Sequence, residues 1–537
     1  LSVGEPVAAA KIPNRLVIPL HQHIGTAAEP LVEPGQTVLK GEMLAKAKGF
    51  VSAAVHASSS GTVVAIEDRP VTHPSGLPAL CIVIETDGED AWCERHPVED
   101  YQSLDPSALR NIIRDAGIVG LGGAGFPSYI KLNPGARTAV DTLILNGAEC
   151  EPYITCDDML MRERADEVIA GARIMRHALQ ANECVIAIED NKPEALASLR
   201  EALERLGADD IGIVKVPTRY PIGGEKQLIK VVTGKEVPSQ GLPLDVGVVC
   251  QNVATAAAVH RSVELGEPLI SRVVTLTGGV KRPRNLEVRI GTPIEDLLPQ
   301  ANGFSENVER LIVGGPMMGF TLQHREAPVA KTVNCILAAT HEMDASRGPV
   351  RPCIRCGACA EACPVSLLPQ QLYWYARAKD FDKVQDYNLF DCIECGCCAY
   401  VCPSNLPLVQ FYRFAKTEIW SQEREKKAAD LARDRHEFRT ARIEREKAER
   451  AARMARKKAA VKGDKGDDKK KDAIKAAMER AKAKKEGAGT KPKNTEDLTE
   501  EQKRKLAEAK ARRAKALQDN AEKGVSGNGS VNRNGEK

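Results

Sequence analysis

Cys353-Ile-Arg-Cys356-Gly-Ala-Cys359-Ala-Glu-Ala-Cys363-Pro364 is followed downstream by Cys392-Ile-Glu-Cys395-Gly-Cys-Cys398-Ala-Tyr-Val-Cys402-Pro403. Both runs read Cys-x2-Cys-x2-Cys-x3-Cys-Pro. Of the 16 cysteines in 537 residues, nine lie between Cys353 and Cys402. The other seven, Cys81, Cys93, Cys150, Cys156, Cys184, Cys250 and Cys335, are scattered singly and read as small apolar core residues. Disulfide frameworks belong mainly to small secreted chains, so dense cysteines at short fixed spacings in a long chain argue for metal and a reducing compartment. Zinc uses pairs of two-cysteine knuckles and leaves the third cysteine and the trailing proline of each run unexplained.

Iron–sulfur cubanes explain both. A [4Fe–4S] cluster needs four converging thiolates. Three closely spaced cysteines in a tight turn reach three corners, and the fourth arrives from elsewhere. This is the bacterial ferredoxin spacing, in which the last cysteine of each run serves the other cluster. The expected ligand sets are therefore Cys353, Cys356, Cys359 and Cys402 for one cluster, and Cys392, Cys395, Cys398 and Cys363 for the other. Cys397 is read as a non-ligand. Pro364 and Pro403 keep a regular helix from continuing beside the last ligand. Helices expected at 367–378 and 381–387 make this a helical two-cluster ferredoxin module rather than the small β type.

Outward from this region the chain is too long for one core, and three or four domains are expected. A net charge of +3 argues for no polyanionic partner. No run of 18 or more apolar residues occurs to span a bilayer. Leu1 carries neither an initiator Met nor a leader pattern, so the natural start is expected upstream. Residues 1–98 alternate short strands (16–19, 32–40, 61–66, 81–86) with Pro/Gly/Ser turns, as in a β-barrel or sandwich. Residues 99–268 alternate strands (142–145, 184–189, 212–216) with helices (166–179, 193–206), which argues for a parallel α/β layer. Residues 269–336 return to strands (273–278, 286–290, 311–313) around a short helix at 292–298. The ferredoxin module occupies 337–419. Beyond it, 420–537 is rich in Lys, Arg, Glu and Ala, with two similar helical pieces at 472–485 and 500–515. A solvated helix fraying into disorder and a docking arm for a partner or anionic lipid both fit that tail.

A second signal lies in Gly117-Ile-Val-Gly-Leu-Gly-Gly-Ala-Gly-Phe126-Pro127. Glycines allow tight turns, and they also let main-chain N–H groups close on a phosphate or ring. The ordinary dinucleotide fingerprint needs a strand just before the loop, whereas 106–116 reads as a helix. Downstream come Lys131, Asn146-Gly-Ala-Glu149-Cys-Glu151-Pro152, Tyr220-Pro-Ile-Gly223-Gly224-Glu225 and Gln251-Asn252-Val-Ala-Thr255. In this order they resemble the flavoprotein subunit of respiratory complex I, where such elements hold FMN and present it to NADH. The resemblance implies that Gly120, Gly122, Gly123, Gly125, Lys131, Asn146, Glu149, Gly223, Asn252 and Thr255 surround FMN, and that Phe126, Glu151 and Glu225 lie beside the nicotinamide nucleotide. Leu121 stands where that family has an arginine, Ala148 where it has an acid and Gly224 where it has a glutamate, so the nucleotide contacts depart further from the pattern than the flavin contacts do.

Asn146–Thr155, Leu368–Trp374 and Cys402–Gln410 carry a closer resemblance over about residues 10–420, to the RnfC family of the Rnf ion-translocating electron-transport complex. It implies a barrel-sandwich hybrid β module similar to lipoyl-carrier domains, a complex-I-flavoprotein-like α/β domain, a β-grasp (SLBB-like) module and the ferredoxin domain. Ala57-Ser-Ser-Ser-Gly61 is placed at the hairpin tip of the first, with no Lys to carry a group. The implied protein is a peripheral, cytoplasmic-side subunit of a bacterial inner-membrane complex. It would be an NADH-oxidising FMN/iron–sulfur oxidoreductase of the translocase class, with the other complex subunits as partners, ferredoxin or flavodoxin as an indirect partner, and no nucleic acid. FMN, held non-covalently, would join a two-electron hydride donor to one-electron clusters, with no acid–base residue needed. Two rivals remain: a relay with clusters but no NADH/FMN chemistry of its own, and a fold in which the clusters are only staples.

Overall fold

The computed structural model describes residues 2–135, 139–305, 307–344, 348–463 and 468–487. Two units divide the chain, one up to Lys426 and one from Lys427.

In the first unit, the N-terminal module pairs Arg15–Pro19, Pro78–Thr86, Gly61–Pro70 and Thr37–Val38 in that order, all antiparallel, beside a small sheet of Glu29–Pro30, Met43–Lys46 and Val55–His56. Leu16, Ile18, Leu44, Val63, Ile82 and Ile84 fill its core. The strand expected over 32–40 shrinks to Thr37–Val38, because Pro34-Gly35 turns the chain: Gly35 has φ +94° and the Gln36 N–H closes on the Glu33 carbonyl. Ala57–Gly61 is a buried turn. Ser59 and Ser60 donate to Asp90 and Asp87, which draws it inward.

The next module is a four-stranded parallel sheet in the order Ile211–Val216, Glu183–Glu189, Thr142–Gly147, Val248–Asn252. Helices on both faces explain the near-continuous apolar runs of its strands. Helix Ala165–Leu179 packs on helix Val253–Glu264 so closely that a side chain at Gly171 would strike the Ala256 carbonyl. The chain builds outward from Thr142–Gly147 through two strands and then returns to its other side with Val248–Asn252. The crevice beyond the C-terminal ends of those two strands is thus the topological switch point, the usual ligand position in open α/β sheets.

A mixed six-stranded sheet follows, in the order Ala8–Ala9, Arg284–Arg289, Ser271–Gly278, Cys335–Thr340, Val308–Val313, Phe320–Thr321. It recruits the N-terminal segment at one edge, and its strand Cys335–Thr340 runs past residue 336. Two 3-10 turns, Ile294–Asp296 and Leu298–Ala301, replace the helix expected at 292–298, because Pro299 lacks the N–H that would carry a helical ladder across them.

The cysteine region folds around helices Pro369–Ala378 and Phe381–Asp386 and the start of a long helix, Leu408–Gly463. Leu372, Tyr373, Val384, Leu389, Tyr412 and Ile419 form its core. In the second unit the described residues are helical, with a further helix at Asp468–Gly487 that takes in 472–485; the piece at 500–515 lies outside the described residues. Among the described residues no helix is long and apolar enough to cross a membrane.

Candidate flavin and iron–sulfur sites

Asn146 and Asn252 are register partners at the ends of the two switch-point strands. Each side chain is fixed. Asn146 accepts from the Ala148 N–H at 3.0 Å and donates to the Gly223 carbonyl at 2.9 Å. Asn252 caps helix Val253–Glu264 by accepting from the Ala254 and Thr255 N–H groups, and donates to the Asp157 carboxylate at 2.7 Å. Asn is needed at both places because it donates and accepts at once.

The glycine loop arches over this crevice. Gly122 and Gly123 line it and are exposed to it, and Gly122 lies against Asn252. Gly123, at φ +111°, faces open space, so its main chain stays approachable. The cavity they enclose has a volume of about 540 Å³, within the roughly 300–1,000 Å³ usual for small-molecule sites. Asn146, Glu149, Glu151, Gly223, Glu225 and Asn252 also line it.

The other expected contacts stand behind this wall. Thr255 is fully buried and accepts from the Leu121 N–H at 2.9 Å. Lys131 is held by Glu225 at 2.5 Å and by the Cys250 carbonyl. Gly120 and Phe126 close the base of the loop through a main-chain bond, and Gly125 packs on Thr332. Thr255, Gly120, Phe126 and Gly125 shape the loop, Lys131 ties Glu225 to the sheet, and none of the five lines the cavity.

Two carboxylates dominate its electrostatics. Glu149 accepts from the Asp157 N–H at 2.9 Å, the Asp158 N–H at 3.2 Å and the Cys156 thiol, at the start of helix Cys156–Glu163. Burial first, and then the neighbouring Asp157 carboxylate, push its carboxyl up to about 8. Glu151 takes the N–H groups of Met317 at 2.7 Å and Met318 at 3.1 Å on one oxygen, and burial raises its carboxyl too. Glu151 thereby anchors the turn Gly314-Gly-Pro-Met-Met-Gly319 of the mixed sheet as a roof. Gly315 must be glycine, since a side chain there would overlap Glu151. Sequence reasoning missed this roof, although its three glycines in six residues were a visible signal.

The cysteines form two small cavities. Cys353, Cys356, Cys359 and Cys402 line one; Cys363, Cys392, Cys395 and Cys398 line the other. Four sulfurs per cavity fit the donor set of a cubane. Cys397 lines neither. Tight loops bring the sulfurs together: Arg355 and Glu394 take φ of +58° and +57°, and Gly357 and Gly396 take +83° and +81°. Ile393 and Cys395 also line the large cavity, and Tyr220, another wall residue, donates to the Cys395 carbonyl at 2.6 Å.

Residues 113–261 match the Nuo51 FMN-binding domain and residues 352–406 a 4Fe-4S dicluster domain. Residues 1–89 match the RnfC barrel sandwich hybrid domain and 273–321 the SLBB domain. The fold is thus the multidomain α/β-plus-β arrangement of these four modules, with FMN and two iron–sulfur clusters as its cofactors. Proteins named as the C component of an ion-translocating oxidoreductase complex are similar to this chain. That of Pseudomonas aeruginosa is 51% identical over 84% of this chain and 58% of its own length. That of Serratia proteamaculans is 49% identical over 96% and 72%, and that of Yersinia pestis 49% over 96% and 83%. The chain spans 58% to 62% of the length of the Pseudomonas aeruginosa and Vibrio cholerae relatives. An NAD+-reducing [NiFe]-hydrogenase in the H2-reduced state superposes on 59% of this chain and 63% of its own, at 21% identity and a TM-score of 0.44.

Proposed function

This chain belongs to the RnfC family of ion-translocating oxidoreductase complexes, and we propose that it takes electrons from NADH through FMN and hands them through two [4Fe–4S] clusters to the other members of the complex. In this reading 1–98 is scaffold, 99–268 holds flavin and nucleotide, 269–336 supplies the roof, 337–419 holds the clusters, and 420–537 is an appendage. FMN supplies hydride acceptance on one side and one-electron release on the other. The chain's own residues bind, orient and exclude water. Gly122 and Gly123 offer a main chain without side-chain obstruction. Asn146 and Asn252 present fixed amides. Glu149 stays protonated near neutrality and adds no charge beside an electron-rich ring. Glu151 holds the roof. Gly120, Gly125 and Thr255 keep the loop in shape, Lys131 holds Glu225, Gly223 and Glu225 close the far wall, and Phe126 supports the loop from behind.

One observation carries the reading: Ile393 and Cys395 share a single cavity with Gly122, Gly123, Asn146 and Asn252. Cys363, Cys392, Cys395 and Cys398 would hold the cluster on the cavity side, and Cys353, Cys356, Cys359 and Cys402 the one nearer the surface, where Cys356 is exposed. The clusters would supply one-electron relay between the cavity and a partner. Peripheral attachment at the cytoplasmic face of the inner membrane completes the reading. There the direction of flow between NADH and ferredoxin or flavodoxin reverses with the potentials, and the flow drives ion transport.

Anaerobic NADH titration of the cofactor-loaded protein, followed by visible and EPR spectra, tests it. Flavin bleaching together with reduced-cluster signals is expected. Iron without FMN in the denatured protein, or spectral silence with all cofactors present, would overturn it in favour of a pure relay.

A further inference from the structure

Tyr220 stands where the cavity wall meets the second cysteine loop. It lines the cavity, and its hydroxyl donates to the Cys395 carbonyl at 2.6 Å, across 175 residues of sequence. The same loop is held from its other end by Lys416, which donates to the Cys392 carbonyl at 2.7 Å. The first cysteine loop is tied differently. Its neighbouring bonds are the Arg351 N–H to the Ser404 carbonyl and the Ser404 hydroxyl to the Pro352 carbonyl, both inside the ferredoxin region. Only the second loop receives a donor from the wall of the flavin cavity, among the described residues.

We propose that Tyr220 is a positioning residue that holds the Cys395 loop against the flavin cavity and raises the potential of the cluster built on it; this rests on the electron path proposed above. The physical reason is charge. A cluster gains one negative charge on reduction, and a donor O–H aimed at the backbone of a ligand residue, in a partly dehydrated setting, favours the more negative state. The same bond fixes how far the loop sits from the cavity. Without it, a shielded carbonyl loses its partner and the loop relaxes.

The test is Tyr220→Phe in the full chain loaded with FMN and both clusters. Redox mediators and EPR titrate each cluster, so no NADH chemistry is required. Iron and FMN contents are expected to stay as in the parent. At fixed ambient potential the reduced-to-oxidised ratio of the Cys392/Cys395/Cys398 cluster is expected to fall by roughly threefold to tenfold, the scale of one hydrogen bond, while the other cluster stays put. Replacing Tyr220 by 3-fluorotyrosine makes a stronger donor and should move the same cluster the opposite way. Unshifted potentials in both variants, equal shifts of both clusters, or loss of FMN instead would overturn the proposal. Failure of NADH to reduce the parent protein would overturn the electron path and leave this titration readable.

Discussion

The two cysteine runs are near-copies that live in different surroundings. Locally they match: positive φ at Arg355 and Glu394, glycine at 357 and 396, and an N–H to sulfur contact of 3.4 Å at Cys353 and at Cys392. Beyond the loop they part. Around the first, Cys356, Arg351 and Arg355 are exposed. Around the second, Cys395 and Cys398 are buried, Glu394 is paired with Arg413 and Lys416, and Gly396 presses on the Met317 carbonyl of the roof. The lesson is that one motif builds both sites, while burial and neighbours assign one to the inside of the protein and the other to its surface.

The largest effects should come from the crossed fourth cysteines. Cys402→Ser is expected to cost the cluster of Cys353, Cys356 and Cys359, and Cys363→Ser the cluster of Cys392, Cys395 and Cys398. Each should remove roughly half the iron and one EPR signal. If Cys402→Ser erases the signal of the inner cluster instead, the crossed assignment is broken. The glycine pair comes next. Gly357→Ala meets no neighbour within 4 Å and should lose only the left-handed backbone penalty of about 1–2 kcal/mol. Gly396→Ala adds a contact of 2.9 Å with the Met317 carbonyl and should lose about 2–4 kcal/mol. Equal anaerobic melting temperatures would erase the contrast. Lys416→Met should cost about 2–3 kcal/mol, because it strips a buried cation from Glu394 and from the Cys392 carbonyl. Arg355→Ala, on the exposed loop, should stay within about 0.5 kcal/mol.

A separate effect, read against pH, is a slope at the cavity itself. The Glu149 carboxyl rises from its ordinary 4.5 to about 8 in the fold, so between those values the folded state holds a proton that the unfolded state has released. The stabilising contribution is full below about 4.5 and is lost as pH rises to about 8. Glu149→Gln keeps the neutral shape and should flatten stability across this window, by at most about 1.4 kcal/mol per pH unit relative to the parent. Parallel curves of the two proteins over about pH 5–8 would refute the raised carboxyl.

Much of this was readable in the residues. The fourfold cysteine spacing is a local pattern, and loops of that kind impose their own geometry on neighbouring residues. The parallel strands were legible because strands buried on both faces must be apolar throughout. Asn146 and Asn252 were nameable from short motifs, but their pairing was not, because register between strands so far apart in sequence leaves no local trace. Lys131 and Thr255 rest on the same motif ground as Asn252, and their partners, Glu225 and the Leu121 N–H, are equally illegible in the sequence, because such pairing is a property of three dimensions.

Residues close together along the chain suffice to set the two cysteine loops and the alternation that builds a parallel sheet. Which cysteine run lies against the switch-point cavity depends on packing between distant segments. That choice depends on Tyr220, Met317, Arg413 and Lys416 meeting one loop and not its copy, through contacts between segments that no periodicity connects.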